Sequence, residues 1–250
     1  VATAAPLTVM VANTPLMISI GNGVSAPVNA LIATVIMLLF TVGFVAMSKY
    51  ITNAGAFYAF IQKGLGRSIG LGSATLAVVS YAMILVALQS FIGYAIAEAL
   101  NGMLNINVPW WVYSLLIVGV IAYLGYRDIE LSSKFLGVAL VLEIAVVLLV
   151  NLAVLWDKGP MGMEPAAFEF ANIISGSPGL GILFAIFSFI GFESTVIYRE
   201  EARDPDRTIP RATYTAVLLI GVFYVVSMWF AVSAIGQENI TTFSEAHGAD

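Results

Sequence analysis

The stretch LGSATLAVVSYAMILVALQSFIGYAIAEAL at residues 71–100 decides the fold class of this chain. It contains no charged residue before Glu98. A helix needs about 20 apolar residues to cross a hydrocarbon core of about 30 Å, so this stretch is long enough to span a membrane. We therefore predict that it is a transmembrane helix.

Six more segments of the chain share this apolar character, and the composition fits them. The chain of 250 residues is 60% hydrophobic and 10% charged, with a mean hydropathy of +0.96. A soluble domain carries about 25% charged residues, so lipid is the solvent that suits this chain. We number the seven predicted spans as segments 1 to 7, and together they predict a single transmembrane domain over 1–250, incomplete at both ends. They cover about 1–20, 27–48, 71–100, 108–125, 131–155, 179–198 and 211–235.

The basic residues predict how the chain is oriented in the membrane. Nine of the ten lysines and arginines fall in 49–70, 126–134 and 199–211, which are three alternate loops. The loops on the opposite side carry only Lys158. Because cytoplasmic loops are enriched in Lys and Arg, we predict that the basic loops face the cytoplasm of a plasma-membrane protein.

Two of the segments contain residues that interrupt a helix. Segment 1 includes TAAPLT at residues 3–8, where Pro6 removes a backbone donor and clashes with the preceding turn. Segment 6 includes Gly191 and Glu193 within an otherwise apolar run. A simple kink with Glu193 paired to a neighbour is one interpretation, and a functional carboxylate is the other, since acids inside membranes are costly. Freed backbone groups at this depth need partners from protein, water or ligand.

The spacing of the two interruptions predicts a repeat. They lie five segments apart, so segment 6 crosses the membrane in the opposite direction to segment 1. Interrupted helices at matching positions of opposed units are typical of inverted repeats with a binding site at the midplane.

Two further acids lie within the predicted spans. Glu143 is deep in segment 5, where a structural hydrogen bond and a proton-coupling role are equally open. Glu98 is near the outer end of segment 3, where we expect it to reach headgroups or water.

Three motifs resemble the amino acid–polyamine–organocation permeases. They are FSFIGFES at residues 187–194, EEARDPDRTIPRA at residues 200–212, and NAGAFY at residues 53–58 followed by Gly64-Leu65-Gly66. In that family an FxGFE-type break in the sixth helix precedes a cytoplasmic EEAxxPxRxIPRA segment. We expect the chain to be an N-terminal fragment of such a permease.

This resemblance implies an all-α membrane protein with a LeuT-type 5+5 inverted-repeat fold, here limited to about seven transmembrane helices. It also implies secondary active transport of amino acids or related amines, commonly coupled to protons. In the family, the unwound part of helix 1 receives the substrate carboxylate and that of helix 6 receives the amino group. Carried over, the site residues are Ala4, Ala5, Pro6, Leu7, Thr8, Phe189, Ile190, Gly191, Phe192 and Glu193, with Phe187 as an aromatic cover and Tyr94 as a looser candidate.

The chain departs from the family pattern at two places. Many members have a GxG-type run in helix 1, whereas this chain has Ala4-Ala5-Pro6. Several proton-coupled members have a lysine on helix 5, and aligning Lys134 with the basic start of that helix puts Glu143 at the corresponding position. The coupling chemistry implied by that lysine therefore does not transfer directly. Glu143 is our candidate for coupling, and it could bind a proton or favour a cation.

Other functions fit the sequence less well. A seven-helix receptor or sensor that does not transport is the alternative we keep, although neither DRY nor NPxxY occurs. An enzyme is not expected, because the chain has no cysteine and no GxSxG, and its single histidine, His247, lies in a polar tail. We expect no cofactor, no metal and no nucleic acid; the expected partners are the substrate, protons and the bilayer.

Overall fold

A computed structural model describes residues 5–51, 55–104, 108–127, 129–197, 204–240 and 242. No β-strand occurs in these ranges. The α-helices are Pro6–Thr8, Thr14–Leu16, Ala26–Ser48, Ala56–Leu65, Arg67–Leu104, Trp110–Arg127, Ile129–Lys158, Phe170–Ile173, Pro178–Phe187, Ser194–Ile197 and Pro205–Ile235. The π-helical turns are Val9–Asn13 and Met17–Asn22, and the 3₁₀ turns are Gly23–Ser25, Pro160–Gly162 and Pro165–Phe168.

Four stretches of the described chain are long and apolar enough to cross a membrane. They are Pro6–Ser48, Arg67–Leu104, Leu136–Lys158 and Pro205–Ile235. The first has 43 residues, about twice the length that one crossing needs. It holds segments 1 and 2, and its backbone leaves helical geometry at Gly21. Two shorter apolar helices, Trp110–Tyr123 and Pro178–Phe187, fall in segments 4 and 6. The chain is thus an all-helical, multi-pass membrane protein.

The turns of segment 1 on both sides of Pro15 are wider than those of an α-helix. Pro15 has no N–H to continue the helical ladder, and π-helical turns lie on both sides of the short α-helical stretch that contains it. The wider turn before it is visible in the bond from Thr14 N–H to the carbonyl of Val9. Single π-turns of this kind are frequent at functional sites.

The chain forms two compact units, which are Val1–Ala56 with Ala139–Asp250, and Phe57–Val138. In the first unit, segment 7 packs along segment 2, and segment 6 packs against both segment 2 and the Met17–Asn22 part of segment 1. A Cβ at Gly221 would overlap the side chain of Thr34, so glycine permits the close approach of segments 7 and 2. The fully buried side chains at these contacts include Met17, Phe44, Val217, Tyr224 and Met228.

The second unit is built on the helices of segments 3 and 4. The hydroxyl of Ser114 donates a hydrogen bond to the carbonyl of Gln89 at 2.9 Å. Gly93 lies against Ser114 without room for a side chain. No residue in the most apolar window of Arg67–Leu104 is buried within the described part of the protein.

The connection between segments 5 and 6 is tied to the end of segment 7. The indole N–H of Trp229 donates to the carbonyl of Glu164 at 2.9 Å, and the N–H of Glu164 donates to the hydroxyl of Ser233 at 2.9 Å. The ring of Phe168 meets that of Trp229 edge to face, with centroids 5.5 Å apart. These contacts fix the residues that lead into the interrupted segment 6.

Candidate substrate site

The described helix of segment 1 begins at a sharply turned residue. Ala5 has a φ of +36°, the one positive value at a non-glycine residue among those that the structure describes. Pro6 follows at the first helical position, which suits a residue without an N–H. The N–H groups of a first helical turn have no partner within the helix. The predicted site residues Ala5, Pro6, Leu7 and Thr8 therefore lie at a helix start, while Ala4 lies outside the described residues.

One of these donors is taken by the acid of segment 5. The N–H of Leu7 donates a hydrogen bond to Oε2 of Glu143 at 3.3 Å, across 136 positions of sequence. Glu143 is half-buried and belongs to the same compact unit as Leu7. Glu143 thus makes a hydrogen bond of the kind that its structural interpretation predicts. The bond lies at the helix end where the substrate site was predicted.

Segment 6 is interrupted where the sequence predicts. The helix Pro178–Phe187 ends there, and Ser194–Ile197 resumes after it. Between them the N–H groups of Phe189, Ile190 and Phe192 bond to carbonyls three residues back instead of four. Gly191 adopts a φ of +99°, which glycine takes without strain. The break is therefore a run of tight turns, in which the N–H and C=O groups of the backbone no longer follow the direction of the helix.

The carboxylate of Glu193 accepts a hydrogen bond from within the break. Its Oε2 accepts the N–H of Gly191 at 2.9 Å, and the hydroxyl of Ser194 donates to the carbonyl of Gly191. The Glu193 side chain is 6% exposed. The pairing with a neighbour that a simple kink requires is therefore present. A role for Glu193 in substrate binding stays a prediction.

The aromatic side chains of segment 6 point to different neighbours. The ring of Phe189 meets that of Tyr224 on segment 7 at 87°, and the ring of Phe192 packs on those of Phe40 and Phe44 on segment 2. These two side chains thus pack the break against segments 7 and 2. Half-buried Ile190 lies between them.

The two aromatic residues expected to cover or line the pocket remain predictions. Phe187, at the end of the helix before the break, is 46% exposed. Tyr94 lies on the helix Arg67–Leu104 in the second unit, and it is also exposed.

A side chain that the sequence analysis did not single out joins the two interrupted segments. The amide of Asn13 donates to the hydroxyl of Ser188 at 2.6 Å and to the carbonyl of Phe184 at 2.8 Å. Asn13 and Ser188 are both buried. An amide in the middle of an apolar segment was the available signal, because polar groups at that depth require partners.

An apolar cavity of about 410 Å³ lies beside the start of segment 1. Its walls come from Pro6, from one face of segment 5 and from one face of segment 7. The amide of Asn151 donates to the hydroxyl of Ser227 at 2.9 Å in this wall. Tyr224 also lines the cavity and lies within electrostatic reach of Glu143. Within the described ranges, no group of three His, Cys, Asp or Glu residues could hold a metal ion.

Comparison with known proteins agrees with this architecture. The family model described as "Amino acid permease" matches residues 1–249. The low-affinity putrescine importer PlaP of Escherichia coli is 24% identical over 211 residues, which are 78% of this chain and 43% of that protein. The gamma-aminobutyric acid permease of Bacillus subtilis is 30% identical over 140 residues, 52% of this chain and 29% of that protein.

A third relative is the branched-chain amino acid permease BcaP of Bacillus subtilis, 29% identical over 146 residues, 58% of this chain and 28% of that protein. No solved structure matches the chain. The chain spans less than half the length of these curated relatives. Because the family model covers nearly every residue, the chain belongs to the amino acid permease family of the amino acid–polyamine–organocation superfamily.

Proposed function

We propose that the protein is a secondary active transporter of amino acids or related amines, which works by alternating access around segments 1 and 6. The names of its relatives support this class of substrate, since they include importers or permeases of putrescine, gamma-aminobutyric acid and branched-chain amino acids. They do not favour the alternative of a seven-helix receptor, and they support the expectation that the chain is not an enzyme.

The observation that carries the proposal is that both interruptions belong to one compact unit. The helix start at Pro6 and the turns at Gly191 lie on segments joined by the amide of Asn13. A helix start offers N–H donors, and a run of turns offers carbonyl acceptors. Together they can bind the two charged ends of an amino acid, or the polar end of an amine, at membrane depth.

We propose further that the whole protein has the LeuT-type inverted-repeat fold, with its basic loops in the cytoplasm. In that arrangement, segments 1 and 6 move relative to the other helices to open the site alternately to each side. Proton coupling is assigned to Glu143, because this carboxyl group contacts the backbone at the interruption itself. Protonation of the group would then be sensed directly by the segment that binds substrate.

Uptake by the full-length protein in proteoliposomes tests the proposal. We expect accumulation of at least one compound from a panel of amino acids and aliphatic amines, increased by an inward proton gradient and abolished by a protonophore. Protein-free vesicles and vesicles with denatured protein are the controls. If no compound in the panel accumulates, with or without the gradient, the proposed function is wrong.

A further inference from the structure

The N–H of Leu7, one of the groups that a substrate carboxylate could use at the start of segment 1, already has a carboxylate on it. Glu143 Oε2 accepts the N–H of Leu7. Pro6 has no N–H to offer, and the N–H of Val9 bonds to the carbonyl of Ala5. A second carboxylate brought to the same turn would compete with Glu143 for a donor and would be repelled by its charge.

The membrane segments of the first unit supply no basic side chain for a substrate carboxylate. Lysine and arginine are absent from 5–48, 139–157, 178–197 and 212–235, which are the membrane parts of the first unit. The same ranges contain three acids, which are Glu143, Glu193 and, at the end of segment 5, Asp157. The acidic side chains of these membrane segments therefore favour a ligand that brings an ammonium group over one that also brings a carboxylate.

The cavity at the start of segment 1 has room for the rest of such a ligand. Its walls include Pro6 and Ile144, the residues adjacent in sequence to the hydrogen-bonded Leu7 and Glu143. Its remaining surface is almost entirely apolar, with side chains such as Leu148, Ile220 and Phe223. A volume of about 410 Å³ is ample for an aliphatic chain of four to six carbons.

We propose that Glu143 is a specificity-determining residue, whose carboxylate takes the place at the start of segment 1 that a substrate α-carboxylate would occupy. The site then selects aliphatic amines that lack an α-carboxylate. This assignment rests on the proposed transport function and narrows its substrate class. The Leu7–Glu143 contact, the absence of a basic partner and the apolar cavity support it together.

Matched pairs of compounds that differ only in the α-carboxylate test the assignment. Putrescine is compared with ornithine, and 3-methylbutylamine with leucine, as competitors for uptake and as ligands in a thermal-shift assay of the purified full-length protein. We expect the wild type to prefer each amine to its amino acid by at least about tenfold. In Glu143→Ala, which frees the N–H of Leu7, the ratio should move toward the amino acid by about tenfold or more.

Two further variants distinguish the effect of the Glu143 charge from that of its contact with Leu7 and from a general effect on folding. Glu143→Gln keeps an oxygen acceptor for Leu7, so its preference should lie between those of the wild type and Glu143→Ala. Glu98→Ala removes an exposed acid from segment 3 in the second unit and should leave the ratio unchanged. The thermal-shift assay reports binding by any folded variant, including one that no longer transports.

The outcomes distinguish this assignment from the proposed function. If the wild type takes up amino acids as well as amines and residue 143 does not alter the ratio, the transport function stands and the assignment is overturned. If the wild type prefers the α-amino acid of each pair, the assignment is also overturned. If it neither binds nor accumulates any compound, the proposed function fails and the assignment fails with it.

Discussion

The amide nitrogen of Asn13 lies 2.6 Å from the hydroxyl oxygen of Ser188 and donates a hydrogen bond to it. The same amide donates to the carbonyl of Phe184, in the last turn of the helix before the break. Segment 1 is thereby fixed to segment 6 at the point where segment 6 stops being helical. A movement of either segment that preserves this bond has to carry the other with it.

Replacing Asn13 is expected to loosen this connection. We expect Asn13→Ala to lower the free energy of unfolding by about 1–2 kcal/mol, because a buried hydrogen-bond donor and its packing are lost. In a double-mutant cycle with Ser188→Ala, we expect a coupling energy of about 0.6–1.7 kcal/mol, the range found for polar contacts between membrane helices. Unfolding in mixed detergent micelles measures both. Asn239→Ala is the control, since Asn239 is exposed, and additive effects of Asn13→Ala and Ser188→Ala would contradict the prediction.

Glu193 can be tested for charge separately from hydrogen bonding. In Glu193→Gln the side-chain oxygen can still accept the N–H of Gly191, so we expect a smaller loss of stability than in Glu193→Ala. If the charge serves substrate binding, kcat/KM for transport should fall by about tenfold or more, equivalent to about 1.4 kcal/mol. Glu193→Ala should also lose the hydrogen bond from the N–H of Gly191, at a further cost of about 1–3 kcal/mol in stability. Wild-type binding and transport by Glu193→Gln would leave Glu193 with a structural role only.

Much of the fold follows from local properties of the sequence. Apolar length predicts the membrane helices, and the described helix of segment 3 extends the predicted 71–100 to Arg67–Leu104. Gly191 and Pro6 predict where regular helix fails, because glycine and proline act on their own backbone. These features need no knowledge of which helices are neighbours.

The contacts within the site could not be predicted in the same way. Leu7 and Glu143 are 136 positions apart, and Asn13 and Ser188 are 175 apart. Helical periodicity fixes the face on which a side chain lies but not the helix that packs against that face. In a membrane the uncertainty is greater, because lipid-facing and protein-facing surfaces are both apolar.

Segments 2 and 7 pack so closely at Gly221 that an added methyl group should push them apart. An added Cβ at Gly221 would overlap the side chain of Thr34. We expect Gly221→Ala to lower the free energy of unfolding by about 1–3 kcal/mol through overpacking. Thr34→Ala in the same chain should restore part of this loss, because it removes the two atoms of Thr34 nearest the new methyl group. Gly43→Ala is the matched control, since a Cβ there meets no atom within 4 Å. Equal stability of Gly221→Ala and Gly43→Ala in the same unfolding assay would show that this contact is not close.

Glu143→Gln should disconnect uptake from the proton gradient while leaving the site assembled. In the wild type, Oε2 of Glu143 accepts the N–H of Leu7, and the other carboxyl oxygen is available to carry a proton. A glutamine oxygen can accept the same N–H, but its amide does not titrate. We therefore expect Glu143→Gln still to exchange substrate across proteoliposomes, yet to accumulate no more substrate with an inward proton gradient than without one. Glu98→Gln, on the exposed face of segment 3, should retain the response to the gradient. Gradient-driven accumulation by Glu143→Gln would assign the coupling proton to another group, because the substituted side chain has no proton to give or take near neutral pH.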